Sequence, residues 1–177
     1  MNPFSVGPDG SVLARFGELE TELICDLAGQ VGDLLGDSVA TADDHLLAIV
    51  GIGGSERLPT DPAVARLLPD AYADDADSSA EFRRLTEHSL AERKVANARQ
   101  VITSLLMAHG AGFELDTEAQ QAWLRTITDI RLVLAARLGI ETDDDLGRSD
   151  SDEARWMRDV YDWLAAVQTA LLEAMEA

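Results

Sequence analysis

The sequence predicts a mainly α (α+β) fold: five or six helices bundled around a central helix over residues 117–138, with a small antiparallel sheet at the N-terminus. Three observations predict it. Apolar residues recur at helical spacing in three long segments, turn chemistry separates two short apolar runs near the start, and 46% of the 177 residues are hydrophobic, enough to fill a core. At this length a single domain over 1–177 is the expectation, divided into a β-hairpin over 3–16, a helical body over 18–176 and an acidic loop over 141–152.

The elements follow in chain order. Phe4-Ser5-Val6 and Val12-Leu13-Ala14-Arg15-Phe16 flank Gly7-Pro8-Asp9-Gly10, and a Pro followed by Asp-Gly between apolar runs predicts a hairpin. Two strands alone are marginal; Gly112-Phe113-Glu114-Leu115 is a candidate third. The first long helix is predicted from Glu18 to Leu35, with Leu19, Leu23, Leu27, Val31 and Leu34 on one stripe and Ile24 and Leu35 widening it. On its other side Cys25, Gly29, Gly32 and Gly36 line up. Glycine inside a helix costs about 1 kcal/mol against alanine, so this strip reads either as a close approach for another backbone, in this chain or in a homodimer partner, or as a weak helix fraying near Gly32.

A short helix is predicted over Ala42–Ile52. Asp61-Pro62 reads as an N-cap followed by proline at the first helical position, and Pro69 ends that helix after Leu68. Ser78 with Glu81 makes a capping box that opens a long segment to about His109. Its apolar positions shift from Phe82 and Leu85 to Ala91, Val95, Ala98, Ile102 and Leu106, which predicts either a break near Glu87–Ser89 or cover on different sides. Thr117 with Gln120 forms a second capping box, starting a helix that Gly139 stops. Trp123, Ile127, Ile130, Leu134 and Leu138 form its stripe and Leu132 lies across from them, so burial on two sides is expected. The last helix is predicted from Glu153 to about Met175, with a seam of Trp156, Val160, Trp163, Val167, Leu171 and Ala174 that reads as intramolecular core or as a dimer coiled coil.

Charge excludes several functions. Thirty-three Asp and Glu face 14 Lys and Arg, for a net charge of −19. A surface of that sign repels nucleic-acid phosphates and anionic lipid headgroups, so no independent nucleic-acid binding and no membrane contact are expected. No apolar run approaches the ~20 residues of a membrane span, and the N-terminus lacks the basic start and apolar core of a signal peptide. With one cysteine, the expected setting is a reducing cytoplasm. The charge is uneven: residues 1–82 and 138–177 are strongly acidic, whereas 83–137 carry 8 bases against 6 acids.

Most motifs with chemical promise fail on inspection. Gly51-Ile52-Gly53-Gly54-Ser55 lacks the Gly-Lys-Ser/Thr of a phosphate loop. His45, His88 and His109 are too scattered for a metal pair, and the acids of 143–153 miss calcium-loop spacing. Leu134–Thr142 imitates the start of a helix-turn-helix, yet Asp143, Asp144 and Asp145 would stand where a recognition helix meets DNA. Cys25 has Glu22 and Asp26 beside it and no base within a turn, which favours the protonated thiol. No catalytic residue, no metal site and no cofactor is therefore expected. The richest constellation is Arg66, Asp70, Arg83, Arg84, Lys94, Asn97, Asp129 and Arg131. It reads either as an internal ion-pair and hydrogen-bond network or as a basic pocket for a small anion or an acidic partner segment.

Four stretches carry a family resemblance: Asp61-Pro62-Ala63-Val64-Ala65-Arg66-Leu67-Leu68-Pro69-Asp70-Ala71-Tyr72; Glu81-Phe82-Arg83-Arg84-Leu85-Thr86-Glu87 with Lys94 and Asn97; Trp123-Leu124-Arg125 through Asp129-Ile130-Arg131-Leu132-Val133-Leu134; and Tyr161-Asp162-Trp163-Leu164. Together they resemble an actinobacterial family of small acidic proteins, the oxidative-stress transcriptional regulators (AosR-like). The resemblance implies a cytoplasmic, non-enzymatic regulator acting through contacts with a transcription factor, sigma factor or polymerase. The thiol sensing proposed in that family needs a cysteine pair; with Cys25 alone, an intramolecular switch is impossible. A small-anion-binding domain and a dimeric scaffold are the alternatives.

Overall fold

The computed structural model describes residues 2–40, 60–69, 76–142 and 145–177, the side chains of 37–40 and 76–85 excepted. The helix predicted over Ala42–Ile52, the Gly51–Ser55 loop, His45, Asp70, Asp143 and Asp144 lie outside the described residues. The elements run β1 (Phe4–Val6), β2 (Val12–Ala14), α1 (Glu18–Ala40), α2 (Pro62–Leu67), α3 (Ala76–Ala108), β3 (Phe113–Leu115), α4 (Thr117–Leu138) and α5 (Asp152–Glu176).

The sheet has the order β1-β2-β3, antiparallel throughout, with Phe4 opposite Ala14 and Val12 opposite Leu115. Gly10, at φ 82°, takes the left-handed position the hairpin turn requires, and the Asp9 carboxylate accepts from the Ser11 amide at 3.1 Å. Strands of three residues hold because one face is covered. Phe4, Phe16 and Phe113 gather around the fully buried Trp123 of α4, with Phe16 stacked on the indole at 5.1 Å and Phe4 edge-on at 5.9 Å.

Helix α4 is the centre of the bundle: α1, α2, α3, α5 and β3 all pack on it. Its predicted stripe of Trp123, Ile127, Ile130, Leu134 and Leu138 is buried, and Ala119, Ala122, Thr126 and Asp129 extend the burial to further sides. Gly139 ends it at φ 70° in the left-handed region.

Several boundaries and faces differ from the sequence reading. The N-cap of α4 is Asp116, whose carboxylate accepts from the Ala119 amide at 2.8 Å, one residue before the predicted Thr117 cap; Gln120 instead donates to the Leu115 carbonyl. Ser78 lies inside α3, which is one continuous helix through Glu87–Ser89. Among its described side chains the buried apolar row is Ala91, Ala98, Val101 and Leu105, leaving Leu106 exposed; those of Phe82 and Leu85 lie outside the described residues. Helix α1 continues past Leu35 to Ala40; Ile24, Leu27, Val31 and Leu35 of its predicted face are buried, with Ala28, and Leu23 and Leu34 pack partly buried against the core, while Leu19 is exposed. The physical reason is common to both helices: neighbouring helical rows overlap, and which of them is covered depends on where the partner helix lies. On α5, Val160, Val167, Leu171 and Ala174 of the predicted seam are buried inside the chain, while Trp156 is 51% exposed.

Among the described residues the three glycines of the strip meet no close neighbour. A Cβ built at Gly29, Gly32 or Gly36 has nothing described within 4 Å, so no described backbone approaches closely there, and the helix continues through Gly32.

Candidate functional site

Helix α2 is set by its cap. Asp61 accepts from the Ala63 amide at 2.8 Å, Pro62 follows at the first helical position, and the same carboxylate takes two hydrogen bonds from Arg137 of α4, at 2.9 and 2.7 Å. The Arg137 guanidinium holds the Asp61 carboxyl below the usual carboxylate range. This clamp seats α2 across α4 and delivers Arg66, Leu67 and Pro69 to the mouth of a cleft between α3 and α4.

The cleft has a volume of about 700 Å³. Helix α3 contributes Leu90, Arg93, Lys94 and Asn97, and α4 contributes Gln121, Leu124, Arg125, Thr128, Asp129 and Leu132. Each set recurs at three- and four-residue steps, so each is one helix face. At its floor the Lys94 ammonium forms an ion pair with the Asp129 carboxylate, with side-chain exposures of 18% and 4%. Burial pushes the Asp129 carboxyl above its ordinary value, and the hydrogen bond and charge of Lys94 pull it partly back.

Beyond Arg66 and Leu132 the cleft adjoins a second, more polar one of about 420 Å³ between α4 and α5. Arg131 donates to the Gln168 side-chain oxygen at 2.7 Å, Gln168 donates to the Thr128 hydroxyl at 3.1 Å, and the Arg131 guanidinium lies 4.7 Å from the centre of the Tyr161 ring. Arg158 approaches the same ring at 5.9 Å, while Arg66 reaches across to donate to the Ile140 carbonyl. A third cleft, of about 530 Å³, lies between α1, α4 and α5 with Trp156 at its edge; it is mainly apolar.

The structure thus brings four of the predicted site residues, Arg66, Lys94, Asn97 and Asp129, to one cleft, and places Arg131 in the next. Asp70 and the side chains of Arg83 and Arg84 lie outside the described residues. Sequence reasoning missed Arg93, Arg125, Thr128, Tyr161, Arg158 and Gln168. Arg93 and Arg125 lie one position and one helical turn from residues already singled out, but only the packing shows that the two faces meet. Cys25 is half-buried against the core, and burial raises its thiol pKa. Among the described residues, no group of three His, Cys, Asp or Glu could hold a metal ion, and no helix is long and apolar enough to cross a membrane.

Comparison with known proteins adds a lineage. The model of the domain of unknown function DUF2017 matches residues 1–175. The putative oxidative stress regulator AosR of Mycobacterium leprae is 30% identical over 173 residues, covering 89% of this chain and 79% of the relative. The oxidative stress regulator AosR of Mycobacterium tuberculosis strain H37Rv is 29% identical over 195 residues, covering 94% and 89%. No solved structure matches. The chain belongs to the DUF2017 family and is related along most of its length to these mycobacterial proteins.

Proposed function

We propose that this chain is a cytoplasmic, non-enzymatic regulator that acts on transcription through protein–protein contacts. The observation that carries the reading is kinship over 89% and 94% of the chain with proteins named oxidative stress regulators. The net charge of −19 supports the mode of action, since a regulator so anionic meets a polyanionic duplex against a repulsive field and works more readily through a protein that binds the duplex itself.

Three measurements test it. The purified chain is expected to leave an operator-length DNA duplex unshifted at physiological salt. Immobilised, it is expected to retain purified RNA polymerase, a sigma factor or a DNA-binding regulator from a related cytoplasm, and its deletion to change transcript levels under peroxide. Sequence-selective binding to bare DNA would overturn the mode of action. Failure to retain any transcription protein, with unchanged transcripts on deletion, would overturn the function. The anion-binding alternative draws support from the basic cleft alone.

A further inference from the structure

Six of the 14 lysines and arginines in this acidic chain line two adjoining clefts: Arg66, Arg93, Lys94 and Arg125 in the first, Arg131 and Arg158 with the shared Arg66 in the second. Most are already held. Lys94 is paired with Asp129, Arg131 with Gln168 and Arg158 with Asp162. Arg125 makes no hydrogen bond or ion pair among the described residues, and Arg93 uses only its Nε, on the Ser89 carbonyl. Arg66 bonds the Ile140 carbonyl through one nitrogen. The α3–α4 cleft therefore presents guanidinium donors around a lining in which four residues, Leu67, Leu90, Leu124 and Leu132, are aliphatic.

We propose that this cleft docks an acidic, amphipathic segment of a partner protein, its carboxylates on Arg66, Arg93 and Arg125 and its aliphatic side chains on Leu90, Leu124 and Leu132. The inference rests on the reading of this chain as one that works by protein contact, and deepens it by naming what the partner presents. Charge complementarity selects the occupant. Among the described residues the one carboxylate lining the cleft, that of Asp129, is satisfied by Lys94, so the described lining is net positive in a molecule of net charge −19. An inorganic anion would leave the leucines uncovered. A nucleic acid would bring its phosphates past the acidic remainder of the surface to a lining with, among the described residues, no aromatic platform for its bases. The lining residues span 90–97 on α3 and 121–132 on α4, roughly 10 and 16 Å at helical rise, which matches two to three turns of a docked helix.

The test is fluorescence polarisation with the full chain and a labelled peptide of about twelve residues, leucines one helical turn apart and glutamates between them. Binding is expected in the micromolar range and to weaken as salt rises. The exposed pair Arg93→Glu with Arg125→Glu is expected to lower affinity at least about tenfold, and Arg93→Gln with Arg125→Gln by an intermediate amount, both with unchanged circular dichroism; Arg99→Glu, on α3 outside the cleft, is expected to bind as the parent does. The proposal is overturned by no binding at about 1 mM peptide, by equal affinity of the Arg93/Arg125 variants, by equal binding of a peptide with glutamine for glutamate, or by tighter binding of a labelled DNA duplex. Peptide binding without retention of any transcription protein, and with unchanged transcripts on deletion, would remove the regulatory function proposed above and leave the docking cleft standing.

Discussion

The ammonium of Lys94 on α3 and the carboxylate of Asp129 on α4, 35 residues apart in the chain, form the ion pair that joins these two helices beneath the basic cleft. Asp129 is 3% exposed, and a carboxylate so placed is tolerated because its partner is within reach.

Removing the partner turns that arrangement into a pH-dependent defect. Lys94→Met leaves Asp129 buried without its cation and is expected to cost about 3 kcal/mol or more at pH 7, measured by denaturant unfolding. Asp129 already has a raised folded-state pKa, so the folded protein binds its proton more tightly than the unfolded chain, and stability from this group falls as pH rises from 3.8 through the raised value. Without Lys94 the pKa rises further and the fall extends to higher pH. The penalty is therefore expected to shrink on moving from pH 7 towards pH 4; a penalty independent of pH would contradict this account.

The Asp61–Arg137 clamp behaves in the opposite sense. Its pKa is lowered, so the stability it confers is present above 3.8 and is lost as acid titrates the folded carboxyl. With side chains 31% and 42% exposed, the charge contribution is expected to be under about 1 kcal/mol. Asp61→Asn keeps the helix cap and loses only that; Asp61→Ala loses the cap as well, for about 1 kcal/mol more. Unfolding of the two variants in urea at pH 7 separates the contributions, and at pH 3 the Asn variant is expected to approach the parent.

Gly32 stands in mid-helix over open space. Gly32→Ala is expected to stabilise the chain by about 0.5–1 kcal/mol, because alanine restricts the unfolded chain and meets none of the described residues within 4 Å. A destabilisation that grows with protein concentration would show instead that a second copy uses the strip.

Cys25 is expected to be a sluggish thiol. Its raised pKa and half-buried position reduce the thiolate available at pH 8, so reaction with a thiol reagent should be at least about tenfold slower than that of free cysteine and recover in denaturant. Rapid native-state modification would contradict this.

What could be read in the residues was local. The Gly7–Gly10 turn, the Asp61-Pro62 cap, the Gly139 stop and the stripe from Trp123 to Leu138 each depend on neighbours within a few positions, and the structure has them all. The helical content and the small N-terminal sheet followed from those signals. Misread features were those that depend on a partner helix: Leu19 and Leu106 lie on plausible apolar rows yet are exposed, and on α3 Val101 and Leu105 are covered instead.

The candidate site divides in the same way. Arg66, Lys94, Asn97, Asp129 and Arg131 were noticeable as polar residues close to apolar faces. That Lys94 meets Asp129 while Arg131 turns to Gln168 and Tyr161 was decided only by the packing of α3 and α5 on opposite sides of α4. Arg93 and Arg125 were not placed in the site from sequence because an arginine's role depends on what faces it across a helix interface. Short-range chemistry was enough for the long helices, the Asp61 cap and the Gly139 stop, and the residue count alone for the sign of the overall charge. Tertiary structure decided which row of each helix is covered and which cations are left unpaired, because both depend on contacts between residues far apart in the chain.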